Sequence, residues 1–232
     1  MQPTFIDEHT RPFELNPGTS ALVIVDMQYA SGSRDHGLGR LLANQGRLLE
    51  AKYRFDRIEN VVIPNIQRLQ ECFRSASSPV IYVTLGPTLA DYSDAPKHLR
   101  GWFEATNNHV GTREHEIVDE LKPLPGELVV NKVTMGAFAS TALASHLKAM
   151  GIEEIVMTGV STNNCVGMTA MEASDRQFGV AVVSDGTGTC SEEMQAATLK
   201  TLTRLWGRVL STDEVVAEMT GGTVRSAAGA GL

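Results

Sequence analysis

The sequence has little cysteine: Cys72, Cys165 and Cys190 are widely spaced in 232 residues. Three separated thiols make no disulfide framework, so a reducing, cytoplasmic setting is expected. No run of about 18 apolar residues is present, which removes the sequence signal for a membrane-spanning helix. The opening Met1-Gln2-Pro3-Thr4 has neither the basic start nor the apolar segment of a secretory leader. Positive charge is in deficit, with 20 Lys and Arg against 27 Asp and Glu, a net charge of −7. Nucleic acid and anionic membrane surfaces need basic patches, so neither is expected as a partner, and a small molecule is. Gly186-Thr187-Gly188 is not followed by the rest of a nucleotide-binding glycine pattern, and no Gly-Lys-Ser/Thr loop occurs. His98, His109 and His115 share no metal-ligand spacing on one element, and no metal or other cofactor is expected. No internal repeat is visible.

What is present is an alternation of strand and helix signals. Residues are 42% hydrophobic and 20% charged, which is ample for a core. Ala21 to Val25 is a continuous apolar run ending in Asp26, the pattern of a strand buried on both faces. Residues 28–56 hold several Gly and Arg without a firm period, and are expected to form an irregular or partly helical lid over the strand ends. Val62, Ile63, Ile66, Leu69 and Phe73 keep helical spacing, with Pro64 near the start or at a kink. Further strands are expected at Pro79–Thr84, Leu128–Lys132, Glu154–Thr158, Val180–Asp185 and Gly207–Leu210. The stretch from Thr88 to Gly111 reads as a long loop that walls a pocket. A short helix is expected at Ile117–Leu121. Thr189 to Glu192 and Ser211 to Glu214 read as capping boxes for the last two helices. Residues 1–219 are read as one domain and 220–232 as a flexible tail.

Such alternation predicts an α/β fold, with a mostly parallel sheet covered by helices on both faces. Ligands of such sheets sit outside the carboxyl ends of the strands, where the strand order reverses. Asp26, Lys132 and Cys165 are all placed at that edge. Cys165 follows an apolar strand and a polar turn and opens an Ala- and Met-rich helical pattern, a position that favours a thiolate. A free thiol is only about 3% ionised at pH 7, and a helix end supplies only about 0.3–1 kcal/mol. The remainder is assigned to a lysine charge beside the sulfur and a carboxylate able to take its proton. Cys, Asp and Lys together can form a nucleophilic hydrolase that needs no histidine.

Three segments also resemble the isochorismatase-like cysteine hydrolases: Leu22-Val23-Ile24-Val25-Asp26-Met27-Gln28; Asn131-Lys132 with Gly136-Ala137-Phe138 and Thr141; and Thr158-Gly159-Val160-Ser161-Thr162-Asn163-Asn164-Cys165-Val166. The likeness spans about residues 20 to 219, and the branch it is most similar to holds ureidoacrylate and N-carbamoyl amidohydrolases. The resemblance implies a three-layer α-β-α fold with a six-stranded, mostly parallel sheet. It implies Cys165 as nucleophile, Asp26 as base and acid, and Lys132 as electrostatic partner. It further implies a cis peptide at Val160-Ser161 that turns the N–H groups of Ser161 and Cys165 toward an oxyanion. Gln28, Phe138 and Arg34 are substrate-binding candidates, with Arg40, Arg47, Arg54 and Arg100 as further candidates for holding an anion. The expected reaction is cleavage of a C–N bond in a small amide, ureido or N-carbamoyl compound, by a homodimer or homotetramer. Vinyl-ether hydrolysis of the isochorismatase type is the alternative, though it would leave Cys165 without work. A non-catalytic binding protein on the same fold is the other. Gly136 stands where many members carry Ser.

Overall fold

A computed structural model describes Ile6, His9 and residues 11–222; the expected tail beyond Gly222 lies outside the described residues. Six strands, β1 (Ser20–Val25), β2 (Val80–Leu85), β3 (Leu128–Lys132), β4 (Glu154–Val160), β5 (Gly179–Gly188) and β6 (Arg208–Leu210), form one sheet in the order β3-β2-β1-β4-β5-β6. Every pairing is parallel. Along β1 the side chains alternate between two cores: Ala21, Val23 and Val25 face one, Leu22 and Ile24 the other. A strand buried on both faces reads as an unbroken apolar run for this reason.

Helices cover both faces. They are α1 (Tyr29–Gly32), α2 (Gly37–Asn44), α3 (Lys52–Arg57), α4 (Ile63–Ser75), α5 (Lys97–Thr106), α6 (Leu143–Ala149), α7 (Gly167–Asp175), α8 (Glu192–Leu202) and α9 (Thr212–Met219). One face is sealed by Ile66, Leu69 and Phe73 of α4 with Val215 and Met219 of α9. Burying side chains of this size contributes about 1.5–3 kcal/mol each. The other face takes Leu99 and Phe103 of α5, Leu143 and Leu147 of α6, Ala170 of α7 and Leu202 of α8. Among the described residues no helix is long and apolar enough to cross a membrane.

Several local expectations need correction. Segment 28–56 is mostly helical, with α1, α2, a 3-10 turn at Leu48–Ala51 and the start of α3. The stretch from Thr88 to Gly111 contains α5, whose Leu99 and Phe103 dock on the core. In place of the short helix at Ile117–Leu121 there is a 3-10 turn at Asp119–Leu121, preceded by another at Arg113–His115. Helix α8 is capped by Ser191, which accepts from the Met194 N–H, while the Thr189 hydroxyl is spent on Asn163. The box at Ser211 and Glu214 forms as expected. Pro64 lies near the start of α4, directly after the π-helical turn Ile58–Val62 that joins it to α3.

Running outward from β1, successive strands first go to one side, β2 then β3, and then to the other, β4 to β6. The order reverses between β1 and β4. The crevice at their carboxyl ends is where such folds receive ligands.

Candidate active site

β1 delivers Asp26 in a left-handed conformation, φ 50°. Aspartate is one of the few residues besides glycine that tolerates this region. Its N–H still bonds the Val83 carbonyl at 2.8 Å, and the Ser31 hydroxyl donates to its carbonyl at 2.6 Å. The turn out of the strand is thus held at both backbone ends. β4 reaches the same edge through Gly159, where φ is +103° and a Cβ would stand 2.0 Å from the Val25 carbonyl oxygen. Only glycine fits that close approach. One residue further on, the Val160-Ser161 peptide is cis. The chain then enters a π-helical turn, Thr162–Val166, that carries Cys165 into α7.

Lys132, the last residue of β3, closes the group. Its ammonium lies 3.0 Å from Asp26 Oδ2, 3.3 Å from Cys165 Sγ and 3.1 Å from the Thr134 carbonyl oxygen. These three acceptors match the three donors of an ammonium. All three side chains are buried. Asp26 Oδ1 is also buried, without a hydrogen-bond partner.

Burial dominates the electrostatics. It raises the proton affinity of Asp26 against the opposing attraction of Lys132. Burial and then the charge of Asp26 push the Cys165 thiol up to about 12, outweighing the ammonium. The thiolate expected from the helix end is therefore not the resting form. Burial alone would lower Lys132, but attraction to Asp26 and Cys165 prevails, so its proton is held more tightly than usual. The arrangement holds a neutral thiol and an ammonium beside a carboxyl group whose proton affinity is raised toward that of the thiol.

Above this trio opens a cavity of about 300 Å³. Ser31, Leu38 and Arg54 line it from segment 28–56, and Leu99, Trp102 and Asn108 from the α5 side. The pocket-walling role expected of residues 88–111 thus falls to α5 and Asn108.

A family comparison bears on this architecture: the isochorismatase domain matches residues 20–214. The chain belongs to the isochorismatase family. Ureidoacrylate amidohydrolase RutB of Pseudomonas savastanoi pv. phaseolicola is 31% identical over 224 residues, which is 89% of this chain and 86% of that one. A cysteine hydrolase from Pseudomonas syringae pv. phaseolicola has the same fold, with TM-score 0.75 at 22% identity over 90% of this chain and 96% of that one. N-carbamoylsarcosine amidase from Thermoplasma acidophilum superposes with TM-score 0.61 at 25% identity, over 84% of this chain and 97% of that one.

Within this isochorismatase-family pocket the remaining candidates separate. Ser161 lines the cavity, and its hydroxyl accepts from Arg54 Nη1 at 2.7 Å. Gln28 lines it too, but its amide is occupied: Oε1 accepts from the Leu85 N–H, and Nε2 donates to the carbonyls of Leu85 and His115. It clamps β1 to its neighbours. Arg34 does not line the cavity; its guanidinium is paired with Asp56 and Glu59, each at 2.8 Å. Phe138 is likewise absent from the cavity wall and stacks on Phe178 in the core. At Gly136, the Glu172 carboxylate fills the space a side chain would take, 2.3 Å from where a Cβ would be. His115 bonds Asn131 and is kept neutral by burial. Asn108 was not singled out from sequence, since a lone Asn in a polar stretch carries no periodic signal. Arg54 had one: with Ala51, Phe55, Ile58 and Val62 it falls on a single helical stripe, the position of a buried side chain.

Proposed function

We propose that this protein is a cysteine amidohydrolase that cleaves the C–N bond of a small amide, ureido or N-carbamoyl compound through a thioester. The observation that carries this reading is the buried contact set of Lys132 with Asp26 and Cys165 at the reversal of strand order. The names of relatives agree with it, one a ureidoacrylate amidohydrolase and one an N-carbamoylsarcosine amidase.

In the proposed sequence Asp26 accepts the Cys165 proton as the sulfur attacks the substrate carbonyl carbon. The N–H groups of Ser161 and Cys165 receive the oxyanion, and Lys132 keeps the negative charge on sulfur and carboxylate balanced. Asp26 then gives its proton to the departing nitrogen as the C–N bond breaks, leaving a thioester and neutral amine. A water enters, Asp26 takes its proton, and the hydroxide displaces the sulfur, which recovers that proton from Asp26. A carboxyl group with raised proton affinity suits both halves, because it binds the proton and returns it within one turnover. Vinyl-ether hydrolysis would need only an acid at Asp26 and would leave the sulfur beside Lys132 idle. The working unit in this reading is residues 1–219, with 28–56 as its lid, acting in the cytoplasm as a homodimer or homotetramer.

The test is ammonia release from a panel of small amides, carbamoyl amino acids and ureido compounds, with Cys165→Ala and a chelator-treated sample alongside. Turnover that Cys165→Ala abolishes and chelation leaves intact is expected. Turnover that survives Cys165→Ala would overturn the thioester route.

A further inference from the structure

Arg54 is a guanidinium enclosed in the cavity wall with no carboxylate paired to it among the described residues. Its Nε and Nη2 both donate to the Ser31 carbonyl, at 3.2 and 2.8 Å, and Nη1 donates to the Ser161 hydroxyl. All three donated bonds go to two neutral acceptors, and two of its five N–H donors are left over. Holding a full charge out of water costs several kcal/mol unless an anion compensates it, and neutral acceptors alone do not require a cation. Burial pulls the group down only to about 10, so it stays charged at neutral pH. Arg57 also donates only to carbonyls, those of Thr187 and Ser184, but it does not line the cavity, and the other candidates are placed differently again. Arg34, Arg40 and Arg47 each pair with a carboxylate, and Arg100 bonds the Ser93 carbonyl outside the cavity lining.

A second group on the same wall is also incomplete. Asn108 is buried, its Nδ2 donates to the Leu85 carbonyl at 2.9 Å, and its Oδ1 has no partner. That bond fixes the amide orientation, since the flipped form would set two oxygens against each other. That oxygen is itself shut off from solvent, so what the cavity presents is a cation and the Cys165 sulfur within one small volume.

Resting on the amidohydrolase reading above, we propose that Arg54 is the residue that selects the substrate, binding a carboxylate or similar anion on it. The substrate class is then a short anionic amide or ureido compound rather than a neutral one. Because Arg54 also donates to Ser161, the same side chain that reads the anion holds a residue of the cavity wall.

The experiment needs no knowledge of the substrate. Alkylation of Cys165 by iodoacetate and by iodoacetamide is followed by mass spectrometry of the Cys165 peptide, with glutathione in the same tube as reference. The ratio of anionic to neutral reagent at Cys165 should exceed that at glutathione by about tenfold, the worth of a bond to a charged group. Arg54→Gln should remove that preference, whereas Arg34→Ala, whose charge is already paired, should keep it. No preference in the unmodified protein, or a preference that survives Arg54→Gln, overturns the proposal and assigns any attraction to Lys132. Should Arg54→Gln not fold, protection of Cys165 by propionate against propionamide in the unmodified protein decides; equal protection overturns it. A protein that shows the preference but releases no ammonia keeps Arg54 in this role and loses the amidase reading, and the reverse result does the opposite.

Discussion

Replacing Asp26 by Asn should make Cys165 more reactive toward alkylation while abolishing turnover. The Cys165 sulfur is 3.3 Å from the Lys132 ammonium, which is itself 3.0 Å from Asp26 Oδ2. The thiol is held near 12 by burial first and by the Asp26 charge second, with Lys132 pulling the other way. A unit charge about 4 Å away at an effective permittivity of about 20 is worth about 4 kcal/mol. At 1.36 kcal/mol per unit, that is about three pKa units. Asparagine has the shape of aspartate without its charge, so Lys132 would then act on the sulfur unopposed. Thiolate population at fixed pH rises by up to about a thousandfold. Part of this is lost because nucleophilicity falls with basicity, with a Brønsted slope of about 0.4–0.5, which leaves a rate gain of a few tens. Turnover should instead drop by at least about a hundredfold to ten-thousandfold, since nothing protonates the leaving nitrogen. Stopped alkylation with iodoacetamide, read on the Cys165 peptide, and ammonia release from the same preparation measure both quantities. Slower alkylation in Asp26→Asn would refute the reasoning, for it would mean that Asp26 already holds the thiol proton in the resting protein.

Three further outcomes are expected. Lys132→Met leaves the buried Asp26 carboxylate without its counterion and should cost about 3–5 kcal/mol in urea unfolding; a loss below about 1 kcal/mol would contradict the burial of that pair. Gly159→Ala sets a methyl group 2.0 Å from the Val25 carbonyl at a φ of +103°, so overpacking of about 1–3 kcal/mol adds to about 1–2 kcal/mol of backbone cost, and a thermal melt indistinguishable from the parent would show that the β1–β4 contact yields. The acid limb of kcat/KM should lie above the ordinary aspartate value, because Asp26 must be ionised to accept the thiol proton and its folded affinity for protons is raised, so activity is lost as pH falls through that raised value. The same sign makes ionised Asp26 a burden on the fold, with stability that declines as pH rises from the unfolded value through the folded one, and a limb at the free-carboxylate position would show that burial does not act on it.

Much of the fold was legible because it depends on neighbours in sequence. Ala21 to Val25 reads as a two-sided buried strand from composition alone, and Ser211 with Glu214 caps a helix from a spacing of three. Asp26, Lys132 and Cys165 could be assigned to one sheet edge because each ends or follows a strand. Other readings failed where a polar stretch hid a helix. Lys97–Thr106 has only Leu99, Trp102 and Phe103 as large apolar residues, and it forms because they dock on a core built from distant strands. The helical stripe marks Arg54 as buried, but its lack of a counterion is set by tertiary contacts, since Asp56 and Glu59 meet Arg34 and no carboxylate meets Arg54.

By itself the sequence determined the strands, the helices with a clear apolar period, the parallel sheet and the three residues brought to its edge, since these follow from periodicity and chain order. Only the tertiary structure decided the ionic character of the site. Lys132 and Asp26 are 106 positions apart and Lys132 and Cys165 are 33. The affinity of each for its proton is set by how completely the folded chain excludes water from them and which charges it leaves within a few ångströms, and neither quantity exists until the sheet has closed.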